Sequence, residues 1–509
     1  MKMNIKNILI GSASSLLLTG CFNLDQYPHD SLASEDSFNT IEDARFWING
    51  MYENLRESTH GVYMTSSELQ ADLIDIRLGG FGGKIYTWEE FTASEPQVQN
   101  IWRKYYQNIA NINNSIQGFD QIKSKTEKER EEITLYKGEL HLTRALYYSR
   151  LLTLFCKSYD PSTSKTDLGL PLLKELLVKP TDLPGRSTLE ETYDFILQDI
   201  AQAEKYLQKR ENEEGAQQMT SDAALLLRAR MLLYKGEWQQ AYEVAASLIQ
   251  SGTYPLANSE ETLRKVWADD AKQETIVQLY ASAVERVDDN ARNDSYTGEY
   301  VYTYQGTDYR TFTPSFLPNQ WVLSLYEDAD IRKSVYYTQK QIRKGDTDDL
   351  KDLYLVYKYP GNPKLRTTKA AKAEHAPKIF RIAEAYLIAA EAAYMNNDAG
   401  NATQYLNLLR TARKASNISV MGTNLLEEIK KERVRELAYE GYRLMDLKRW
   451  KEGVDRTIRP AQDVNFIRNN PAEQYNMLKK SADDYRMVWP IPSVEIARMK
   501  DKLKQNPGW

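Results

Sequence analysis

Residues 379–410 read IFRIAEAYLIAAEAAYMNNDAGNATQYLNLLR, and this stretch decides the fold. Small or apolar residues recur at spacings of three and four over 379–394, which places them on one face of a helix. Residues 396–398, Asn-Asn-Asp, have the composition of a tight turn. The same period restarts over 402–409, so the stretch predicts two antiparallel helices that form a hairpin of the tetratricopeptide type.

A second hairpin with the same spacing is predicted between residues 223 and 248. Leu226, Ala229 and Leu232 mark its first helix, Gly236 makes its turn, and residues 241–248 form its second helix. The two hairpins differ by one residue in the turn, where insertions are tolerated. This recurrence predicts a mainly α fold in which tetratricopeptide-like helical hairpins form a scaffold.

The first twenty residues have the pattern of a lipoprotein signal peptide. Lys2 and Lys6 precede an apolar run over 8–18, which is too short to span a bilayer and is followed closely by Cys21. We therefore expect residues 1–20 to be removed and the Cys21 thiol to be lipidated. Residues 21–34 are polar and irregular and would tether the body to the membrane.

Composition limits the possible classes of function. The 509-residue chain has a net charge of -5 and no basic cluster, so it is not expected to bind nucleic acid. Apart from Cys21 the chain holds only Cys156, so the mature chain cannot form an internal disulfide. Cys156 follows an apolar run and is predicted to be a core residue.

Helical periodicity fades between residues 257 and 377, and tyrosine accumulates there. Residues 296–359 hold eleven of the 34 tyrosines of the chain. The loss of helical periodicity together with the high tyrosine content predicts an irregular, loop-rich, tyrosine-rich insertion lobe. Insertions into repeat scaffolds often carry binding surfaces. The predicted mature body therefore consists of helical regions at 35–256 and 378–509 and a ligand-binding insertion at 257–377.

Residues 429–450 read IKKERVRELAYEGYRLMDLKRW and resemble the signature of the SusD-like (RagB/SusD) outer-membrane nutrient-binding lipoproteins. The Trp-Pro-Ile-Pro segment at 489–492 and the Gln-Asn-Pro-Gly-Trp ending at 505–509 are similar to the C terminus of that family. Further matches extend the resemblance over essentially the whole chain and lie at 24–28, 142–148, 169–172, 383–387 and 405–410.

The charged residues of 429–450 also have a physical interpretation. They fall at mixed spacings of three and four, so acids and bases can pair along and between helices. We predict a partly buried network of ion pairs that supports the architecture and takes no part in catalysis.

The resemblance implies a surface-exposed outer-membrane protein that captures a nutrient and passes it to a TonB-dependent, SusC-like transporter. It does not identify the ligand. Capture of oligosaccharide or polysaccharide fragments and capture of peptides by a RagB-like receptor both stay open, and the tyrosine-rich insertion favours glycan. A repeat adaptor without a small ligand is disfavoured by the export signal.

The sequence shows no pattern for catalysis or for metal binding. The four histidines lack a second ligand at metal spacing, and neither Gly-x-Ser-x-Gly nor His-Glu-x-x-His occurs. Glu89 and Glu90 are adjacent and point in different directions, whereas a glycosidase needs two carboxyls that face one bond. We predict a binding protein that is not an enzyme and uses no metal or cofactor.

A sugar-binding surface needs exposed aromatic rings with polar groups beside them. The glycine-rich loop at 78–84 is either a binding surface or only a connector, and the sequence favours neither. The predicted contacts near this loop are Asp72, Phe81, Tyr86 and Trp88. The predicted contacts in the insertion are Tyr296, Tyr302, Tyr304, Tyr309 and Trp321. Any one of these tyrosines is as readily explained by packing in the core.

Overall fold

The computed structural model of the chain describes residues 37–76, 83–89, 91–176, 182–285, 296–343, 350–366, 374–457, 462 and 478–509. The predicted signal peptide, the predicted lipidation site Cys21 and the predicted tether at 21–34 lie outside the described residues. Phe81 and most of the glycine-rich loop lie outside them as well.

The N-terminal half is a set of packed helices. They are α1 Ile41–Glu57, α2 Val62–Gln70, α3 Gly83–Thr87, α4 Pro96–Phe119, α5 Glu127–Phe155 and α6 Leu189–Tyr206. Helix α1 begins at a capping box, in which Thr40 accepts from the Asp43 amide and Asp43 accepts from the Thr40 amide. Helices α1, α4 and α5 pack on one another, and α6 packs on α5. Most of the apolar side chains of these helices join one extended core.

Both predicted helical hairpins are present. The first consists of α7 Ser221–Lys235 and α8 Trp238–Gln250, and the second of α12 Ile382–Met395 and α13 Ala399–Ala412. Gly236 ends α7 in the left-handed conformation at φ 82°, where glycine carries no steric penalty. Helix α12 packs on α8 as well as on α13, so the two hairpins contact each other. Both helices carry fully buried alanines, such as Ala245 and Ala389, and side chains this small allow close packing of helices.

The segment between the hairpins is more regular than predicted. Its described residues include the short α-helices α9 Glu260–Ala268, α10 Gln320–Ser324 and α11 Ile331–Tyr336 and several strands. Two pairs of these strands form antiparallel hairpins, β5 Glu299–Tyr304 with β6 Thr307–Phe312 and β8 Tyr337–Arg343 with β9 Leu350–Val356.

The prediction of an irregular lobe was wrong at the β5–β6 hairpin because the turn signal was overlooked. Gln305 and Gly306 connect the strands with φ of 49° and 77°. Two consecutive left-handed residues are what a two-residue hairpin loop of type I′ requires.

Small two-stranded sheets complete the framework. Strands β1 Ile74–Ile76 and β7 Phe316–Pro318 pair, as do β2 Leu168–Pro171 and β3 Arg186–Thr188. The other two pairs are β4 Thr275–Gln278 with β10 Lys378–Arg381 and β11 Val454–Asp455 with β12 Lys479–Lys480. All of these pairs are antiparallel. The pairing of β1 with β7 connects the N-terminal half to the insertion.

The C-terminal helices carry the predicted network of ion pairs, which the structure confirms. These helices are α14 Thr423–Leu437, α15 Arg443–Arg449 and α16 Ser493–Met499. Glu436 of α14 is fully buried and accepts hydrogen bonds from Arg332, Arg381 and Arg413. Burial acts to raise the pKa of Glu436, but Arg413 and Arg381 hold it well below its usual value.

Glu68 of α2 is a buried carboxyl in a different electrostatic environment. Its Oε1 accepts from the Gly441 amide at 2.7 Å, while Oε2 is buried without a hydrogen-bond partner. Burial raises the pKa of Glu68 from 4.5 to about 7. Between these two values the folded protein holds a proton that the unfolded chain has released, so folding becomes less favourable as the pH rises.

We therefore expect Glu68→Gln to become more stable relative to the wild type by about 3 kcal/mol as the pH rises from 4.5 to 7, because glutamine cannot ionise. Urea unfolding at several pH values measures the difference. The matched control is Glu261→Gln, in which the replaced carboxyl is exposed, and this variant should follow the wild-type pH dependence. A constant difference between Glu68→Gln and the wild type would contradict the prediction.

Candidate ligand-binding site

Four exposed tyrosines share one face of the β5–β6 hairpin, and we call them the tyrosine platform: Tyr300, Tyr302, Tyr304 and Tyr309. The first three alternate along β5, so their side chains leave the strand on the same side. Tyr309 of β6 lies directly opposite Tyr302 in the register. The four side chains are 40 to 59% exposed, a large fraction for rings of this size. Sequence alternation thus creates a continuous aromatic surface.

The centre of the tyrosine platform is a stacked pair. The rings of Tyr302 and Tyr309 lie 5.5 Å apart between centroids and 20° from parallel. Cross-strand neighbours of this kind hold each other's rotamers. On the same face, Thr307 and Thr311 lie opposite Tyr304 and Tyr300. The hairpin therefore presents flat apolar surface, phenol hydroxyls and threonine side chains together.

Such a face has a specific chemical use. The C–H faces of a sugar ring pack against aromatic planes, while its hydroxyls exchange hydrogen bonds with polar groups at the edge of the rings. Three of the predicted contact residues, Tyr302, Tyr304 and Tyr309, are brought together here. Tyr300 belongs with them but was missed as a contact residue, although its alternation with Tyr302 and Tyr304 was visible in the sequence.

Asp72 and Tyr86 are buried, so the expectation that they line a binding surface is corrected. Asp72 forms a two-point ion pair with Arg443, with Nε–Oδ1 and Nη2–Oδ2 distances of 2.7 and 2.9 Å. The hydroxyl of Tyr86 donates to Asp75 at 3.0 Å, and the Arg456 guanidinium lies 3.7 Å from its ring centroid. Both side chains use their polar atoms to hold neighbouring segments of the chain together.

Trp88 and Tyr296 are also buried, and the same correction applies to them. Trp88 is 1% exposed, and its indole nitrogen donates to the Gln70 carbonyl at 3.0 Å. Tyr296 is fully buried and stacks on Tyr359 with 5.9 Å between ring centroids. A large ring contributes more stability inside a core than on a surface, and these two rings fill the core.

Trp321 occupies an intermediate position. It lies on α10, is half-buried, and packs against the main core. The Arg443 guanidinium is 5.8 Å from its ring centroid. Trp321 is thus close to the buried Asp72–Arg443 pair and is not a member of the tyrosine platform.

Metal-binding clusters and membrane-spanning helices are both absent from the described part of the chain. In the ranges given above, no three His, Cys, Asp or Glu side chains are grouped so that they could hold a metal ion. No helix within the same ranges is long and apolar enough to cross a bilayer.

Comparison with protein families identifies the chain. A model described as the SusD family matches residues 238–509, which is more than half of the sequence. The chain belongs to the SusD family. A second model of SusD-like proteins, described as starch-binding and associating with the outer membrane, matches residues 25–233. The resemblance found in residues 429–450 is therefore confirmed.

Individual SusD relatives align over nearly the full length. SusD-like protein P2 of Formosa agariphila is 24% identical, and the alignment covers 97% of this chain and 98% of the relative. A crystal structure of a SusD superfamily protein from Bacteroides thetaiotaomicron is 25% identical, with a TM-score of 0.77 and coverage of 92% of this chain and 100% of that one. A SusD-like carbohydrate binding protein from Bacteroides vulgatus is 20% identical, with a TM-score of 0.71 and coverage of 91 and 97%.

Membership of the SusD family answers one question about chemistry. Proteins of this family are non-catalytic binding proteins, so the chain is not an enzyme, as the sequence predicts. A binding surface, and not a set of reacting groups, is the functional feature to find in its structure.

Proposed function

We propose that the protein captures oligosaccharide or polysaccharide fragments on the tyrosine platform and holds them without chemical change. The observation that carries the proposal is the stacked, exposed Tyr302–Tyr309 pair with Tyr300 and Tyr304 on the same face. Exposed aromatic surface of this extent is unfavourable in water unless a ligand covers it. The relative described as a carbohydrate binding protein supports the same ligand class.

The proposal includes where the protein acts. Lipidated Cys21 and the tether at 21–34 would hold it at the outer-membrane surface, consistent with the description of the family model that matches residues 25–233. There the tetratricopeptide-like hairpins would serve as a rigid support, and the captured glycan would pass to a TonB-dependent, SusC-like transporter. The region 257–377 would act as the ligand-binding part.

The test is binding of protein lacking residues 1–21 to a panel of polysaccharides in affinity gels, followed by titration calorimetry with the polysaccharide that binds. Removing both stacked rings in Tyr302→Ala/Tyr309→Ala should weaken binding about 10- to 100-fold, because each of the two aromatic contacts is worth about 0.7–1.4 kcal/mol. The control is Phe46→Ala, which removes an even more exposed ring from α1. Helix α1 packs on α4 and α5, and the control should bind as the wild type does.

Two outcomes would contradict the proposal. Unchanged glycan affinity in Tyr302→Ala/Tyr309→Ala would remove the tyrosine platform from the site. Binding of peptides and of no polysaccharide would favour the alternative, a RagB-like receptor in a peptide-uptake complex, in which backbone hydrogen bonds replace aromatic stacking.

A further inference from the structure

A basic cavity lies on the reverse side of the hairpin that carries the tyrosine platform, and we call it the arginine cavity. Its volume is about 330 Å³, which is within the range of small-ligand sites. Glu299 of β5 and Arg310 of β6 contribute to it from the hairpin. Helix α9 supplies Arg264 and Trp267 on another side. A loop with Tyr357 and residues 360–366 closes it.

The charges that line the arginine cavity are unbalanced. Among its described lining residues, three guanidiniums face a single carboxylate: Arg264, Arg310, Arg366 and Glu299. Glu299 is almost completely buried, and its Oε1 lies 3.2 Å from Arg310 and 3.7 Å from Arg366. Neither contact has hydrogen-bond geometry, since this oxygen is without a hydrogen-bond partner. Glu299 therefore lies close to Arg310 and Arg366, but its Oε1 accepts a hydrogen bond from neither of them.

Arg264 is the third cation and is held from outside the cavity. Its Nη2 lies 2.5 Å from Glu260 and donates to the Ser334 carbonyl at 3.0 Å. The Glu260 side chain is half exposed, so solvent screens its charge. Burial and Glu299 raise the pKa of Tyr357, whereas Arg310, Arg264 and Arg366 act in the opposite direction. The three guanidiniums thus all act on the phenol at the wall of the cavity.

The walls of the arginine cavity suit a ring as well as a charge. Trp267, Pro360 and Pro363 provide apolar surface beside the guanidiniums. Arginine carries five N–H donors in a planar fork that matches the oxygens of carboxylates and sulfates. The side chains of Arg310 and Arg366 are 62 and 29% exposed, so a ligand can reach them.

We propose that the arginine cavity binds an anionic sugar residue, whose carboxylate or sulfate group is received by Arg310 and Arg366 while its ring packs against the apolar wall. This inference rests on the proposed capture of glycans and deepens it, because it makes acidic polysaccharides the preferred class of ligand. The β5–β6 hairpin then carries two kinds of contact, aromatic stacking on one face and charge recognition on the other.

The test compares polymers that differ only in the anion. Polygalacturonate is paired with fully methyl-esterified polygalacturonate, and dextran sulfate is paired with dextran. Full-length protein in detergent should bind the anionic member of at least one pair about tenfold more tightly at low salt. A preference in the first pair identifies carboxylate as the bound group, and a preference in the second identifies sulfate.

Variants locate the preference. Arg310→Gln/Arg366→Gln should reduce the preference for the anionic polymer from about tenfold to less than about threefold. It should leave binding of the uncharged polymer unchanged. The matched control is Arg498→Gln, which removes an exposed arginine from α16 and should keep the full preference. Equal binding of the charged and uncharged members in both pairs would overturn the inference, as would a preference that survives the double variant.

Different results would exclude anion binding in the arginine cavity and glycan capture on the tyrosine platform. Suppose that the uncharged polymer binds, that Tyr302→Ala/Tyr309→Ala abolishes this binding, and that the wild type shows no preference for the anionic polymer. This result would overturn only the proposed role of the arginine cavity. Absence of binding to every polymer of both pairs and of the wider panel would overturn both proposals.

Discussion

Glu436→Ala is expected to lower the free energy of unfolding by about 3–5 kcal/mol, because it removes a buried carboxylate that three buried arginines share and leaves them with fewer counterions. Glu436 Oε1 accepts from Arg381 and Arg413, each at 2.9 Å, and Oε2 accepts from Arg413 at 3.0 Å and from Arg332 at 3.1 Å. The side chains of all three arginines are at most 2% exposed. Water cannot replace the carboxylate without opening the core.

The position of Glu436 makes the effect larger than that of an ordinary ion pair. Arg332 comes from α11, Arg381 from the end of β10 and Arg413 from the residue after α13. One carboxylate therefore holds three separate segments against α14. Loss of this carboxylate weakens the junction between the insertion and the second helical hairpin.

Urea unfolding at neutral pH measures the change, and two other variants complete the experiment. Glu436→Gln keeps the shape of the side chain but not its charge, and should also be destabilised. Glu261→Ala removes an exposed carboxylate from the i, i+4 pair with Lys265 and should unfold at nearly the same urea concentration as the wild type. A loss below about 1 kcal/mol in Glu436→Ala would show that the network does not stabilise the fold.

Much of this architecture could be predicted from the sequence, because a helix is recognisable from the spacing of apolar residues within its own segment. The period of three to four residues identified both helical hairpins, α7–α8 and α12–α13. The charged spacing in 429–450 predicted ion pairs, although their partners Arg332, Arg381 and Arg413 lie far away in the chain. Those partners could not be identified because only the tertiary fold brings them to α14.

The candidate site was harder to predict because burial is a property of the whole fold. Trp88 and Tyr302 are both aromatic residues beside polar neighbours, yet one fills the core and the other lies on the surface. The usable signal was the alternation at 299–304, where Glu299, Val301 and Thr303 alternate with tyrosines before the Gln305-Gly306 turn. That pattern identifies a strand with one face exposed, and it distinguishes Tyr302 from Tyr296.

The arginine cavity had no sequence signal at all. Arg264, Arg310 and Arg366 are separated by 46 and 56 residues and belong to a helix, a strand and a loop. Their convergence depends on the packing of α9 and of the loop at 357–366 behind the β5–β6 hairpin. A charge cluster assembled from such distant segments becomes visible only in three dimensions.

Trp88→Ala is expected to lower the free energy of unfolding by about 3–5 kcal/mol and to leave glycan affinity unchanged in the fraction that is folded. The indole is buried and its N–H donates to the Gln70 carbonyl, so removal of the ring leaves a cavity and takes the shorter of two hydrogen bonds from that carbonyl. Trp88 has a left-handed backbone with φ of 60°. Alanine keeps the Cβ, so the backbone strain is similar in both proteins and the difference reports the loss of the ring.

The matched variant is Tyr304→Ala, since Tyr304 is 59% exposed on the tyrosine platform. It should change stability by less than about 0.5 kcal/mol and weaken glycan binding, which is the opposite of the result expected for Trp88→Ala. Urea unfolding and affinity gels at a temperature well below both transitions separate the two effects. If Trp88→Ala were as stable as the wild type and lost glycan, Trp88 would be a contact residue and its position in the core would be wrong. The contrast between the two variants therefore decides whether the aromatic residues beside the glycine-rich loop or those of the β5–β6 hairpin bind the ligand.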